Sequence, residues 1–464
     1  MSTLSSLDKA SGESLGAVPV SAPSDVDAAV SRAAAAQPAW AALTYAERAA
    51  VLRRAAAALT DRAATTRDLI VRETGSIPGK ADYEIGAAGA ELLEAAALAA
   101  RPIGEVRPSN HAGRFSLAER VPLGVVAAIT PWNFPLVLGM RVIAPALALG
   151  NTVVLKPSPE TPLSGGAFLA ELFAAAGLPE GVFQVVQGGA DVGERLVAHP
   201  ATAMVHFTGS SAVGRSIAAT AGGLLKKVSL ELGGNNALVV LDDADLEQAA
   251  MIGAWSSFHY QGQTCITAGR HVVHAAVADA YVAELARRAA AIVVGDPHTG
   301  QVGLGPMINE RQHARAATML ASAVADGATV MTGGASDAPF FRPTVVTSVA
   351  TDMRLWQEEI FAPIAPVLVV ADEEEAVRVV NDTDYGLVNS VVTADLRRGL
   401  SIARRLRGGM AHVNDATPQD EALAPFGGIG LSGLGGRSGG DDNLEEFTQR
   451  RWLTTTDLPV HYPY

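Results

Sequence analysis

Residues 121–155, VPLGVVAAITPWNFPLVLGMRVIAPALALGNTVVL, decide the fold of this 464-residue chain. The stretch is apolar enough to suggest a membrane span, which needs roughly 20 uninterrupted apolar residues. TPWNFP at 130–135 interrupts the stretch with two prolines and an asparagine, and Arg141 adds a charge. The pattern therefore favours a strand, a loop, a buried helix and a second strand over a membrane helix.

The same alternation continues along the chain. Short β-branched runs such as VVAAIT, NTVVLK, VFQVV and AMVHFTG are each followed by a loop and a helical stretch, and a second series follows residue 265. This pattern predicts an α/β fold with parallel, doubly wound sheets. The N-terminal part is helical in pattern, with capping signals at Ser24/Asp27 and Thr44/Glu47, and EFTQRRWLTTTD near the C-terminus alternates like a strand.

Composition narrows the class of protein. The length predicts two or three domains, which interleave because no linker or repeat is visible. The net charge of −13 argues against nucleic acid or an anionic membrane as a partner. The polar start MSTLSSLDKASG lacks a signal-peptide pattern, and one cysteine suits a reducing compartment, so we expect a cytoplasmic protein.

Cys265 is the single cysteine and lies in YQGQTCITAGR at 260–270. It has no cysteine partner within the chain, so it is either a small buried hydrophobe or a reactive thiol. Glycines nearby permit close approach of a ligand, and thiolate is strongly nucleophilic. The polar, glycine-rich context favours a reactive thiol, and no metal role is expected for it.

Two polar residues follow predicted strands. Glu231, in SLELGGNNA, suits a general base whose pKa is set by partial burial, or is an ordinary carboxylate before a turn. Asn133, in TPWNFP, can donate to a developing oxyanion or can satisfy its own turn backbone. Ligands bind at such strand ends in open α/β sheets, which keeps the functional interpretation open for both.

Two further stretches suggest a dinucleotide. VHFTGSSAVGRSI reads as strand, tight turn and helix, with Gly209 and Gly214 five residues apart, so the helix start can offer amides to a phosphate. The spacing differs from G-x-G-x-x-G and is weak by itself. Lys156 follows the NTVVLK strand, where its ammonium either reaches a ribose or phosphate or lies on the surface.

In this order the motifs PWNF, FTGS, ELGG and GQTC resemble the aldehyde dehydrogenase superfamily. The resemblance extends to EEIFAP at 358–363, NDTDYGL at 381–387 and APFGGIGLSG at 424–433, and covers nearly the whole chain. Within the superfamily, HYQGQTCITAGRHVVH and HVNDATPQDEALAPFGGIGLSG are most similar to bacterial benzaldehyde dehydrogenases.

The resemblance implies a function. Cys265 would attack the aldehyde carbon to form a thiohemiacetal, and the Asn133 amide would hold the oxyanion. After hydride transfer, Glu231 would activate the water that hydrolyses the thioester to a carboxylic acid. Cofactor-binding positions would be Thr130, Trp132, Lys156, Gly209, Ser210, Ser211, Ala212, Val213, Gly214, Leu232, Glu359 and Phe361.

The resemblance also implies an architecture. Residues 1–102 and 123–234 would form a Rossmann-like dinucleotide-binding domain, interleaved with an α/β catalytic domain at 235–430. Residues 103–122 and 431–464 would form a small β oligomerisation element, which implies a homodimer or homotetramer.

Departures from the family pattern leave the cofactor open between NAD and NADP. Many NAD-specific relatives carry a glutamate three residues after the ribose lysine, but here Pro159 stands there and Glu160 follows. Loss of that carboxylate removes a repulsion against a 2′-phosphate. Ala362 replaces a usual glycine and Asn235 a frequent lysine, and neither change removes a catalytic group.

The expected substrate is a benzaldehyde-like aldehyde, because Phe134, His259 and Tyr260 flank the catalytic motifs and can wall a pocket for a ring. Core packing explains these three residues equally well. A coenzyme A-acylating enzyme is the nearest alternative, although such relatives generally lack the hydrolytic glutamate. A non-catalytic binding or structural protein on the same scaffold is the alternative from another class.

Overall fold

The fold is taken from a computed structural model of the chain. It describes residues 2–334, 337–457 and 462–464. The predicted ranges 1–102, 235–430 and 431–464 are therefore covered except for residues 1, 335–336 and 458–461, which lie outside the described residues.

The strands of the described residues are numbered along the chain. They are β1 Thr3–Leu7, β2 Ser14–Pro19, β3 Gly104–Val106, β4 Arg114–Pro122, β5 Val125–Ile129, β6 Thr152–Lys156, β7 Phe183–Val185, β8 Thr202–Gly209, β9 Lys227–Leu232, β10 Asn236–Val240, β11 Ala268–His274, β12 Thr329–Gly334, β13 Arg342–Thr347, β14 Ile364–Val370, β15 Val388–Val392, β16 Met410–Val413, β17 Gly433–Leu434 and β18 Thr448–Thr456.

The α-helices are numbered in the same way, and short π or 3₁₀ turns occupy Leu163–Ala167, His259–Gly262 and Gly430–Ser432. The α-helices are α1 Pro23–Ala42, α2 Tyr45–Asp61, α3 Ala63–Thr74, α4 Pro78–Leu98, α5 Pro135–Ala148, α6 Phe168–Ala175, α7 Ala190–Ala198, α8 Ser211–Gly223, α9 Leu246–Phe258, α10 Ala278–Ala291, α11 Glu310–Ala325, α12 Arg354–Gln357, α13 Glu373–Asn381, α14 Leu396–Ala403 and α15 Asp442–Glu446.

The stretch 121–155 folds as its pattern predicts. Strand β5 is buried throughout, helix α5 is buried along its whole length, and β6 pairs in parallel with β5. Among the described residues, no helix is long and apolar enough to cross a bilayer. The apolar run instead lies at the centre of the hydrophobic cluster with the most residues, and helices α2 and α4 pack against α5 in this cluster.

The N-terminal helices follow the prediction in part. The capping box at Thr44 is confirmed, because Thr44 N–H donates to Glu47 Oε2 at 2.8 Å and Glu47 N–H donates to Thr44 Oγ1 at 3.3 Å. The predicted start at Ser24 with Asp27 is wrong. Helix α1 begins at Pro23, since proline suits a first helical position, and Asp27 instead pairs with Arg195. The hairpin of β1 and β2 before α1 was not predicted.

Two large sheets carry the α/β pattern. In the described chain, six strands form a sheet in the order β17-β9-β8-β5-β6-β7, and seven form another in the order β12-β13-β14-β11-β10-β15-β16. All neighbours are parallel except β17 with β9 and β12 with β13. The doubly wound parallel prediction is therefore confirmed, with an antiparallel strand at one edge of each sheet.

The first sheet contains a topological switch point. From β5 the chain moves to β6 and β7 on one side, then returns to β8 and β9 on the other. A crevice opens at the carboxyl ends of strands where the order reverses in this way. Residues 130–133 follow β5 and residues 210–211 follow β8, so both predicted motifs lie at this crevice.

A smaller antiparallel sheet joins distant parts of the chain. Strand β4 lies between β3 and β18, with Trp452 opposite Ala118 and Thr448 opposite Pro122. The predicted C-terminal strand is confirmed over Thr448–Thr456. Several apolar side chains of this sheet and its start are exposed to solvent, namely Ile103, Val106, Phe115, Trp452 and Leu453.

Candidate active site

Cys265 lies in the loop between the His259–Gly262 turn and β11, and its side chain is partly exposed. Asn236 holds this loop, because its Nδ2 donates to the carbonyls of Cys265 at 2.8 Å and Thr267 at 2.7 Å. Gly262 has a φ of +64°, and a Cβ there would lie 2.3 Å from the Ala362 carbonyl oxygen. Only glycine allows this close approach, which fixes the path of the chain into the cysteine.

Two cavities meet at Cys265. One has a volume of about 260 Å³ and lies towards the switch point of the first sheet. The other has a volume of about 280 Å³ and lies against helices α4, α5 and α9. Asn133, Leu138 and Cys265 line both, so a molecule in either cavity can reach the thiol. We call them the switch-point cavity and the helix-side cavity.

The switch-point cavity collects many of the residues predicted from short motifs. Glu231 and Leu232 come from the end of β9, and Gly209 and Ser210 from the end of β8. The remaining lining residues are Pro131, Trp132, Asn133, Leu138, Thr208, Gly233, Cys265, Gln312, Arg315, Glu359 and Phe361.

Burial dominates the electrostatics of Glu231. Its side chain is buried and Oε2 has no hydrogen-bond partner among the described residues. Burial raises the pKa of Glu231 to about 8, although the cations Arg141 and Arg437 oppose the shift. A carboxyl group with this pKa can take and release a proton near neutral pH, which is the property a general base needs.

The Cys265 thiol is held in its neutral form in the resting protein. Burial is the main cause that raises its pKa to about 12, the carboxylates of Glu359 and Glu231 add to the rise, and Arg141 opposes it. Thiolate is the reactive species, so the thiol must lose its proton as it attacks. Glu231 lines the same cavity, and in its ionised form it can receive that proton directly or through water.

Asn133 is fixed beside the thiol. Its Nδ2 donates one hydrogen bond to the Gln263 carbonyl at 3.0 Å, and its Oδ1 has no partner in the described chain. An amide nitrogen has two N–H groups, so one remains to donate towards the cavities. The alternative of a turn asparagine bonded to its own backbone is not what the structure shows.

Glu359 and Phe361 enter the switch-point cavity from the second half of the chain. Glu359 Oε1 accepts from Gly234 N–H at 3.1 Å, and burial raises the pKa of Glu359 to about 7. Phe361 contacts Trp132 edge to face, with ring centroids 5.5 Å apart. These residues form the wall opposite β8 and β9.

Six predicted cofactor residues do not line the switch-point cavity: Thr130, Lys156, Ser211, Ala212, Val213 and Gly214. The last four form the first turn of α8, and Gly214 packs on Leu232 so closely that a Cβ would lie 2.5 Å from Leu232 Cδ2. Thr130 and Lys156 are buried at the ends of β5 and β6.

Lys156 is a buried cation without a carboxylate partner within salt-bridge distance in the described chain. Its Nζ donates to the Pro157 carbonyl at 2.9 Å. Burial lowers the pKa of Lys156 to about 8, and Asp191 opposes that shift. The alternative of a surface lysine is therefore excluded.

The helix-side cavity contains two of the three predicted substrate residues. Phe134 and His259 line it, but Tyr260 does not. Tyr260 is fully buried behind Phe134, with ring centroids 5.6 Å apart, and its hydroxyl donates to the Thr74 carbonyl at 3.2 Å. For Tyr260, core packing is the interpretation that the structure supports.

Sequence reasoning missed most of this second cavity. Its other principal side chains are Lys80, Tyr83, Arg141, Trp255, Asp420 and Phe426. They come from α4, α5, α9 and the segment after β16, and no local motif joins them. Arg141 gave a signal as a charge inside the otherwise apolar α5, and Asp420 and Phe426 lie in the stretch 412–433 that carries the family resemblance.

The arrangement thus places a thiol, an amide donor and a buried carboxyl group at the junction of a cavity at a dinucleotide-type switch point and a largely apolar cavity. Residues 2–453 match the model of the aldehyde dehydrogenase family. The chain belongs to this family. The predicted family, fold class and enzyme class are confirmed.

Two similar members of the family are named for aromatic aldehydes. A vanillin dehydrogenase of an Amycolatopsis species is 49% identical, covering 99% of this chain and 94% of the relative. The NAD⁺ benzaldehyde dehydrogenase of Pseudomonas putida is 48% identical with the same coverages. The crystal structure of an E. coli NADP-dependent enzyme superposes with a TM-score of 0.95 at 36% identity, covering 98% of this chain and 95% of that one.

Proposed function

We propose that this aldehyde dehydrogenase oxidises aromatic aldehydes of the benzaldehyde type to carboxylic acids. The observation that carries the proposal is the helix-side cavity, which joins Cys265 to a wall of aromatic rings. Phe134, Trp255, His259 and Phe426 all line it, and such surfaces favour a flat, apolar ring. Two relatives that are 48–49% identical carry vanillin and benzaldehyde in their names, which supports the same class.

The proposed reaction starts with Cys265. Its thiol attacks the aldehyde carbon and gives up its proton to Glu231 or to water, forming a thiohemiacetal. The free N–H of Asn133 and the backbone N–H of Cys265 stabilise the oxyanion. After hydride leaves the carbon, Cys265 holds a thioester. Any proton that Glu231 received from the thiol is released to solvent before hydrolysis. The Glu231 carboxylate then takes a proton from the water that attacks the thioester and passes it to the departing thiolate, which releases the acid and restores the thiol.

We propose that the nicotinamide end of a dinucleotide occupies the switch-point cavity and that its phosphates lie outside that cavity, at the first turn of α8. Gly214 N–H donates to Ser210, so the amides ahead of it in α8 have no acceptor within the helix and can bind a pyrophosphate. A Cβ at Gly209 would lie 2.4 Å from the Phe207 ring, so glycine keeps this edge open. We propose that Trp132, Leu232, Glu359 and Phe361 line the nicotinamide side. When bound, the cofactor supplies the hydride acceptor.

We propose that both NAD and NADP are used. Pro159 offers no carboxylate to the ribose, and Glu160 is engaged elsewhere: it pairs with Lys9 at 2.9 Å and accepts from Asn309 Nδ2 at 2.8 Å. With Lys156 as the buried cation at the end of β6, a 2′-phosphate meets attraction rather than repulsion. The ratio of kcat/KM for the two cofactors measures the preference directly.

The test of the function is the appearance of reduced nicotinamide with purified protein, benzaldehyde and either cofactor. Turnover that releases benzoate is expected, with acetaldehyde a poorer substrate by kcat/KM. Equal or better kcat/KM on acetaldehyde would overturn the aromatic assignment. Stimulation by coenzyme A, with benzoyl-CoA as product, would favour the acylating alternative instead.

We also propose a cytoplasmic homodimer or homotetramer that assembles through the sheet of β3, β4 and β18. Support comes from the exposed apolar side chains on and beside that sheet, since Trp452 is 70% and Val106 is 68% exposed in the single chain. Exposed apolar groups that cluster in this way mark association surfaces. Light scattering of wild type and Trp452→Glu measures the mass, which falls to that of a smaller species in the variant if this sheet is the interface.

A further inference from the structure

An ion pair lies at the end of the helix-side cavity that opens to the surface. Arg141 and Asp420 both line the cavity, and both also line a shallower depression outside it, together with Glu91 and Glu421. Arg141 Nη2 donates to Asp420 Oδ2. The pair therefore lines the same cavity as Cys265, where a substituent on the ring of the substrate can meet it.

Arg141 makes further contacts in this position. Its Nε donates to Glu91 Oε1 at 3.3 Å, and its guanidinium stacks over the Phe426 ring at 4.5 Å. The Arg141 side chain is 5% exposed and that of Asp420 is 16% exposed. The carboxylate is thus the more accessible half of the pair, and it covers the cation.

The second cation of the cavity is also paired. Lys80 Nζ contacts Glu84 Oε2 at 2.5 Å, and it lies 4.3 Å above the Phe134 ring. The two cations that line the cavity, Arg141 and Lys80, therefore each have a carboxylate bound to them. Burial lowers the pKa of the third basic side chain, His259, to about 4. A substrate that brings another negative charge finds no free partner and meets the carboxylate of Asp420.

Glu91 is the more buried of the two carboxyl groups that contact Arg141. Burial raises the pKa of Glu91 to about 7, although Arg141 opposes the shift. Glu91 can therefore take a proton when a further negative charge enters, whereas Asp420 is the more exposed carboxylate on Arg141. This difference singles out Asp420 as the group that decides the charge at this end.

We propose that Asp420 is a specificity-determining residue that neutralises Arg141, so that the enzyme refuses aldehydes carrying a second anionic group such as a carboxylate. The proposal rests on the proposed function, since it takes the helix-side cavity as the substrate site. It goes further, because it names the aldehydes that are excluded and the residue that excludes them. Removing the charge of Asp420 exposes Arg141 as a carboxylate-binding cation.

The test compares two substrates that share a ring, benzaldehyde and 4-carboxybenzaldehyde. The measured quantity is the ratio of kcat/KM for the carboxylated substrate to kcat/KM for benzaldehyde. In Asp420→Asn this ratio is expected to rise about tenfold or more, because a like-charge contact is replaced by attraction to Arg141. Glu421→Gln is the matched control, since Glu421 is the adjacent carboxylate, is exposed and does not line the cavity. Its ratio is expected to stay at the wild-type value.

The rise of this ratio in Asp420→Asn must also depend on Arg141. In the double variant Asp420→Asn/Arg141→Gln the ratio is expected to fall back towards the wild-type value. An unchanged ratio in both Asp420→Asn and Asp420→Ser would overturn the proposal. So would a wild-type enzyme that oxidises both aldehydes equally well.

A binding measurement separates this proposal from the proposed function. The affinities of both aldehydes are measured by calorimetry on Cys265→Ala, with and without Asp420→Asn. If wild type fails to oxidise benzaldehyde, the proposed function is wrong, and the calorimetric ratio alone decides the role of Asp420. A shift of that ratio towards 4-carboxybenzaldehyde supports the role, and an unshifted ratio rejects it.

Discussion

The two cavities that meet at Cys265 are similar in volume but differ in how the chain builds them. The switch-point cavity is assembled from strand ends. Gly209, Glu231 and Leu232 lie on the adjacent parallel strands β8 and β9, and Ser210 directly follows β8. The helix-side cavity is assembled from side chains on α4, α5, α9 and the segment after β16.

This difference explains why the residues of the switch-point cavity can be predicted from the sequence and those of the helix-side cavity cannot. Parallel strands bring their carboxyl ends to one edge, so short motifs after each strand meet there whatever the helices do. Helix residues such as Tyr83 and Trp255 meet only through tertiary packing, and each is locally an ordinary amphipathic-helix residue. Sequence reasoning is expected to find the cofactor side of such a site before the substrate side.

The largest expected effect is at the residue that both cavities share. Cys265→Ala should reduce kcat by at least about 10³-fold, because no other side chain can carry the thioester. Cofactor affinity should stay within about twofold, since the thiol contributes little of the cavity surface. Steady-state turnover and calorimetric NAD(P) binding measure the two quantities. Persistent turnover in this variant would refute the covalent mechanism.

Glu231 carries the next effect, which should be largest in deacylation. Glu231→Gln should lower kcat about 10²–10⁴-fold, the range for a lost general base. In wild type the ionised carboxylate is the active form, and the pKa of Glu231 is about 8. Hydrolysis should therefore increase with pH, reach half of its maximal rate near pH 8 and level off about one pH unit higher. Rapid-quench measurement of accumulated acyl-enzyme checks the step. A pH-independent wild-type rate, or a variant without acyl-enzyme, would contradict the role.

A matched pair of variants separates the proposed cofactor side, where Lys156 lies beyond the lining of the switch-point cavity, from the helix-side cavity. Lys156→Met should raise the KM for the cofactor about tenfold and leave the KM for benzaldehyde nearly unchanged, because a charge contact of about 1.4 kcal/mol is lost on one side only. Phe134→Ala should raise the KM for benzaldehyde and leave the KM for the cofactor nearly unchanged, because a ring contact is lost in the helix-side cavity. Two-substrate kinetics give both constants for each variant. Equal changes in both constants would mean that the cavities do not divide the ligands as proposed.

How much of the fold can be predicted from the sequence depends on how few neighbouring residues each pattern involves. The stretch 121–155, the parallel sheets and the Thr44 cap were predictable, because periodicity and capping residues act over a few positions. The hairpin of β1 and β2 was missed, since its polar strands carry no apolar alternation. The start of α1 was misplaced because Ser24 looks like a cap, whereas Pro23 already occupies the first turn.

In the site, the sequence located the thiol, the amide and the carboxyl group but not their surroundings. Asn133, Glu231 and Cys265 are far apart in the chain, and only the family order of their motifs brought them together. The raised pKa values of Glu231 and Cys265 result from burial by distant segments, which no local pattern records. The Arg141–Asp420 pair joins residues 279 positions apart, and it could not be predicted from the sequence for the same reason.

The smallest effect tests the border of the helix-side cavity. Tyr260 lies behind Phe134, and its hydroxyl points to the Thr74 carbonyl rather than to the cavity. Tyr260→Phe keeps the ring and removes this bond, so it should lower the free energy of unfolding by about 0.5–1.5 kcal/mol. The kcat/KM for benzaldehyde should stay within about threefold of wild type, in contrast to Phe134→Ala. Denaturant titration and steady-state kinetics measure the two effects. A loss of kcat/KM larger than about tenfold without a loss of stability would place Tyr260 in contact with substrate, and would move the wall of the cavity one residue layer deeper.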